Sequence, residues 1–232
     1  MPLGVQADVR DWLWDKLVAQ YGEAEALTIA RSMHEAATLD IRVNTIKGTR
    51  DEVMAKMVAE NTSGEANITK TPYSPIGLRM PLRLNISRHV LFTDGNIEVQ
   101  DEGSQILAHL VAPKRGMMVA DFCAGAGGKT LAIGALMRNT GRLYAFDVSE
   151  KRLFNLGKRL KRSGLSNLNA QVISSENDPK LTRLNGKFDR VLVDAPCTGL
   201  GTLRRNPDLT CRQTPEDLAE LTENQAKILA RA

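Results

Sequence analysis

Asp121-Phe122-Cys123-Ala124-Gly125-Ala126-Gly127-Gly128-Lys129-Thr130 lies just past the middle of a chain of 232 residues. The apolar run before it, MMVADFCA, reads as a strand, and the residues after it, Thr130 to Met137, as a helix. A glycine-rich turn between a strand and a helix is where parallel α/β sheets bind nucleotides. Three ligands compete for it. A triphosphate loop needs a glycine, four intervening residues and then Gly128-Lys129-Thr130, which puts that glycine at position 123, occupied by Cys123. A dinucleotide fingerprint starting at Gly125 and Gly127 needs its third glycine at Thr130. A glycine turn serving chain geometry alone is a fourth, bland possibility. S-adenosylmethionine asks for close backbone approach at the first strand and an acid at the end of the second, to accept from the ribose hydroxyls. RLYAFD supplies that acid at Asp147, so this reading suits the residues best.

Outward from the loop, the rhythm supports an α/β fold. Gly103 to Val111 reads as a helix, followed by the loop's strand and helix, RLYAFD, a helix over Lys151 to Arg162, NAQVIS, FDRVLVDAP, and a last helix from Pro215. Strand–helix alternation predicts a parallel sheet with helices on both faces. Before it, residues Asp8 to Ala37 show helical spacing broken near Gly22, and Leu39 to Ile46 alternate as a strand. Arg50 to Glu60 form a short helix ending near Gly64. From Glu65 to Val99 the chain is strand-like and punctuated by Pro72, Pro75, Gly77, Pro81 and Gly95. The division expected is an α+β module over 1–100 and a Rossmann-like domain over 101–232.

Composition narrows the class further. Apolar residues make up 42% and charged residues 25%, the balance of an ordinary globular protein. The net charge of +4 is too small to name a partner by itself. Eight basic residues between Arg138 and Arg162 face only Asp147 and Glu150, which makes the helix there either a solvated face or an RNA contact. Three cysteines, with no C-x-x-C, exclude a zinc motif and read as free thiols of a reducing cytoplasm. No segment has the apolar length of a membrane span. The histidines, His34, His89 and His109, lack partners at ligand spacing, so no metal is expected.

The loop, the acid of YAFD, the segment EVQDEGSQILA (98–108) and above all DRVLVDAPCTGLGTLRRNPD (189–208) resemble the Sun-type RNA (cytosine-5)-methyltransferases. The resemblance runs from about Leu39 to Ala232. It implies an S-adenosylmethionine site on Cys123, Ala124, Gly125, Ala126, Gly127, Gly128 and Lys129, with Asp147 on the ribose. Glu176, with Asp178 as rival, falls beside the adenine. Asp194 falls on both cofactor and target base, and Cys197 on the cysteine that helps release product. Arg204 and Arg205 fall where phosphates of an RNA, ribosomal by the family's habit, would be held.

Three departures accompany the resemblance. Gly125-Ala126 stands where the family has Ala-Pro, and Thr210-Cys211 where it often has Lys-Trp. The family's attacking thiol belongs to a Thr-Cys-Ser strand, and no Thr-Cys-Ser occurs in these 232 residues. The expectation is therefore an incomplete sheet of four strands whose fourth, VLVDAP, is an apolar edge open to pairing with another chain. The last helix should turn Leu218, Leu221, Gln225, Ile228 and Leu229 to one side. A non-catalytic RNA- or cofactor-binding remnant is the alternative to an enzyme.

Overall fold

A computed structural model describes residues 2–60, 67–80 and 85–232. The expected helix end near Gly64, and Glu65 and Pro81, lie outside the described residues. The elements run α1 (Leu3–Ala7), α2 (Asp11–Tyr21), α3 (Glu23–Met33), β1 (Leu39–Val43), α4 (Arg50–Glu60), β2 (Thr69–Lys70), β3 (Gly77–Met80), α5 (Val90–Thr93), β4 (Ile97–Val99), α6 (Glu102–Leu110). They continue with β5 (Met118–Asp121), α7 (Gly128–Leu136), β6 (Arg142–Asp147), α8 (Glu150–Ser163), β7 (Leu168–Val172), α9 (Pro179–Thr182), β8 (Arg190–Leu192), α10 (Leu209–Arg212) and α11 (Pro215–Arg231). The chain divides into two compact units, Met1–Ala37 with Pro196–Lys227, and Thr38–Ala195 with Ile228–Ala232.

The second unit holds two sheets. In the first, β1 pairs antiparallel with β3 and β4, giving the order β2-β3-β1-β4. Strand alternation sends Ile41, Val43, Leu78, Met80 and Ile97 into one apolar core with Val53 and Met57 of α4. The opposite face is charged yet equally buried: Asp40, Arg42 and Glu98 are each under 5% exposed. Burial of this kind requires pairing. Arg79 grips both oxygens of Asp40, through Nε at 2.7 Å and Nη2 at 2.8 Å. Arg42 Nε donates to Gln100 Oε1 at 2.6 Å.

The second sheet is parallel in the order β7-β6-β5-β8, with the four strands expected. Val119 and Leu143 face a core made with α6 and α7, including Ala108, Ala132, Ile133 and Met137. Ala120 and Phe146 face the other side, with Phe122, Leu181, Leu184 and Ile228. Helices therefore cover both faces, which is what buries strands of continuous apolar sequence. Among the described residues β8 pairs with β5 alone. The last helix departs from its expected stripe, because Ile228 is buried while Leu229 is 67% exposed. One residue of offset is 100° around a helix, enough to separate the two.

In the first unit, α1, α2 and α3 bury Ala7, Leu13, Ala26 and Ala30. Gly22, at φ +77°, ends α2 and begins α3, the break anticipated there. The stretch after Pro196 is secured locally: Gln225 Nε2 donates to the Pro196 carbonyl at 2.8 Å. Arg204 donates to the carbonyls of Glu35 and Ala36 at 3.3 and 2.6 Å.

Candidate cofactor site

The loop leaves β5 at Asp121 and enters α7 at Gly128, as the sequence implied. Phe122 N–H still pairs with Leu192, and Ala124 N–H with Phe146, each near 2.9 Å, so the strand ladder carries the chain to the turn. Gly127 N–H then closes the turn onto the Ala124 carbonyl. Gly127 sits at φ +84°, and a Cβ there would come within 2.6 Å of the Leu156 side chain. No other residue combines that conformation with that contact. Gly125, at φ +55°, is the opposite case: a Cβ there would meet nothing within 4 Å. One side of the loop's backbone is thus open to a ligand.

Asp147, at the end of β6, reaches back to this loop. One carboxylate oxygen accepts from Gly125 N–H and the other from Ser149 N–H, both at 2.8 Å. Each oxygen keeps a further lone pair, the acceptor capacity that a pair of vicinal hydroxyls would use. Val148, next in sequence, is 64% exposed, an apolar surface at the strand end that sequence reading passed over.

Lys129 behaves differently from a phosphate-loop lysine. Its Nζ lies 2.5 Å from Oδ2 of Asp194, just beyond β8, so the pair spans the tops of two adjacent strands. Asp121 is 1% exposed, with one oxygen accepting from the Thr130 hydroxyl at 2.7 Å and the other unpartnered among the described residues. Burial pushes its carboxyl up to about 6; the Thr130 hydrogen bond opposes this and the Asp194 charge adds to it. A carboxyl whose folded pKa lies above its unfolded value, about 4, loses native stability as pH rises from 4 to 6. Asp121→Asn should abolish that slope, leaving the variant on the order of 2–3 kcal/mol more stable than the parent above pH 7. Urea unfolding of both proteins between pH 4 and 8 checks it. A constant difference across that range would contradict it.

Cys123 is half-buried, and its thiol is pushed up to about 11, first by burial and then by the charges of Asp121, Asp147 and Asp194. It is protonated at neutral pH and makes a poor nucleophile. The same three carboxylates face Lys129, while the other cation at the loop, Arg159 on the Ala126 carbonyl, is itself paired with Glu98, so the loop has a negative surround. Their charge would repel a triphosphate and suits a cation. Among the described residues no group of three ligating side chains can hold a metal ion.

The remaining expected residues are placed as follows. Asp178 is committed to structure, accepting from Lys180 N–H and from Ser174 N–H and hydroxyl at 2.8–3.1 Å. Glu176 is half-buried and contacts only its neighbour Asn177 among the hydrogen bonds described here. Ala126 is exposed, and Gly128 begins α7. Cys197 and Cys211 are exposed within the first unit, where Arg205 is half-buried. Arg204 is occupied by the two carbonyls named above.

A parallel sheet with helices on both faces, a glycine turn after its central strand and an acid closing the adjacent strand define the Rossmann-like class of cofactor-binding folds. The family model for 16S rRNA methyltransferase RsmB/F matches residues 108–232, and a ferredoxin-like domain of RsmF/B-like methyltransferases matches 10–87. The chain belongs to the RsmB/F methyltransferase family. A probable ribosomal RNA small subunit methyltransferase B of Synechocystis is 35% identical over 98% of this chain and 50% of the relative. The corresponding Bacillus subtilis protein is 32% identical over 98% and 49%. The chain spans about half the length of the curated relatives it matches. Among solved structures, NSun6 from Pyrococcus horikoshii with SFG superposes with a TM-score of 0.83 at 20% identity, over 96% of this chain and 79% of that one, a likeness of fold.

Proposed function

We propose that this chain carries the S-adenosylmethionine site of an RNA (cytosine-5)-methyltransferase acting on 16S ribosomal RNA in the cytoplasm. The observation that carries the cofactor is the set of carboxylates around the loop, which matches a sulfonium and an ammonium and opposes a phosphate. Family membership supports the RNA substrate. The N-terminal α+β module, residues 1–100, is assigned as its RNA-facing part and Arg205 as a phosphate contact, whereas Arg204, expected beside it, is held by the Glu35 and Ala36 carbonyls. The apolar edge of β8 belongs to this reading as a place where a further strand pairs.

When bound, the cofactor supplies an electrophilic methyl group. Asp147 would hold the ribose hydroxyls, the Cys123–Lys129 turn would admit the ligand along the open side of Gly125, and Glu176 would serve the adenine. Lys129 Nζ, 2.5 Å from Asp194 Oδ2, aims that carboxylate, so that it can hydrogen-bond the cytosine edge as charge develops there. A thiolate must add to carbon 6 of the base, carbon 5 then takes the methyl group, and loss of the carbon 5 proton expels the thiolate. Cys123 is unsuited to this attack because its thiol is held protonated. Cys197, exposed and following Asp194-Ala195-Pro196, is assigned to product release. The attacking thiol is assigned to the family's Thr-Cys-Ser segment.

Calorimetric titration with S-adenosylmethionine and, in parallel, with ATP tests the site. Saturable heat with the first and none with the second is expected. Binding of ATP alone would overturn the assignment. Nucleoside analysis of unmethylated 16S RNA incubated with S-adenosylmethionine then tests the reaction: 5-methylcytidine is expected when the chain is joined to a relative's Thr-Cys-Ser segment, and none from these 232 residues by themselves.

A further inference from the structure

The underside of the loop is held by one side chain of α8. Arg159 Nη1 donates to the Ala126 carbonyl at 2.9 Å, while its Nε and Nη2 donate to Oε2 of Glu98 at 3.1 and 2.9 Å. Glu98 belongs to β4 of the antiparallel sheet and is 3% exposed. Its other oxygen receives Nε and Nη2 of Arg162 at 3.0 and 2.7 Å. Three residues before Arg159, on the same helix, Leu156 fills the space against Gly127. The peptide joining Ala126 to Gly127 is therefore fixed at both ends, its carbonyl by Arg159 and its N–H by the Ala124 carbonyl.

We propose that Arg159 is a positioning residue for cofactor binding, which sets the orientation of the Ala126–Gly127 peptide and ties it to the antiparallel sheet through Glu98. This rests on the loop being the S-adenosylmethionine site. Only a guanidinium suits the position, because its rigid fork has donors pointing in several directions and an ammonium is a single point charge. Arg162 is the built-in control: it makes a matching two-pronged contact to Glu98, whereas the contact to Ala126 is made by Arg159. The loop and the antiparallel sheet thus share one carboxylate.

The test compares Arg159→Lys with Arg162→Lys in the whole chain. Both keep a cation beside Glu98, and both should lower the unfolding midpoint. Titrations with S-adenosylmethionine are made well below the lower midpoint, with folding verified by circular dichroism. Arg159→Lys should weaken affinity about tenfold, the size of one hydrogen bond from a charged donor, and Arg162→Lys by less than about twofold. Amide exchange of Gly125 to Lys129, read without ligand, should be faster in Arg159→Lys than in Arg162→Lys. Equal affinities and equal exchange in the two variants would overturn the positioning role. A parent protein that exchanges normally but binds no S-adenosylmethionine would overturn the cofactor reading, and the role with it.

Discussion

Asp147→Ala should weaken S-adenosylmethionine binding by at least about 100-fold while leaving the sheet folded. Two hydroxyl hydrogen bonds to a carboxylate are worth about 1.5–3 kcal/mol each, and each 1.4 kcal/mol is a factor of ten in affinity. The variant also strips the loop of its anchor, because the same carboxylate holds Gly125 N–H and Ser149 N–H. Asp147→Asn should recover only part of the loss. Its amide keeps one acceptor oxygen but turns an NH2 toward a backbone donor or a hydroxyl. Calorimetry on the three proteins decides the matter. An alanine variant that is folded and binds like the parent would remove Asp147 from the site.

Glu98→Ala should be the most destabilising single change, costing about 3–5 kcal/mol, the usual effect of removing one partner from a buried ion pair. Four hydrogen bonds from Arg159 and Arg162 converge on its two oxygens. Arg42, its antiparallel partner in β1, is 1% exposed, and burial brings its guanidinium down to about 10, with the Glu98 charge opposing that fall and Arg159 adding to it. Without Glu98, three guanidinium groups are left in one region with no carboxylate among them at that position. Native stabilities are about 5–15 kcal/mol, so the loss is a large share of the total. For a chain of this size the midpoint should fall by about 10 °C. Glu98→Gln should be intermediate, since it keeps the shape and one acceptor. Scanning calorimetry reads all three, and a fall of under 2 °C in the alanine variant (roughly the scale of a surface substitution) would contradict the account.

The loop, the four parallel strands and the helix after each of the first two were legible because they are local. Glycine at a strand–helix turn, an acid at a strand end and a short apolar run are each signals carried by a few neighbouring residues. What the chain hid was non-local. Glu98 and its arginines are separated by 61 and 64 residues, and Lys129 and Asp194 by 65. The eight basic residues between Arg138 and Arg162 read as one class of charge; the fold separates Arg159 and Arg162, turned to Glu98, from Lys151, Lys158 and Lys161, which are exposed. Asp178 and Glu176 are rivals for one role in the sequence, which does not reveal that Asp178 also caps α9. Residues from the two ends of the sequence make up one unit, which no reading by composition shift can detect.

That sorting of α8 gives its two cationic residue types different freedoms to change. Its lysines meet water, and Lys158 lies over the exposed ring of Phe154 rather than against a carboxylate. Substituting them alters solubility and isoelectric behaviour while the fold stands. Its inner arginines are tied to a buried acid, so replacing them affects architecture first. An amine-directed reagent would therefore recolour the outside of this helix without loosening what lies beneath it.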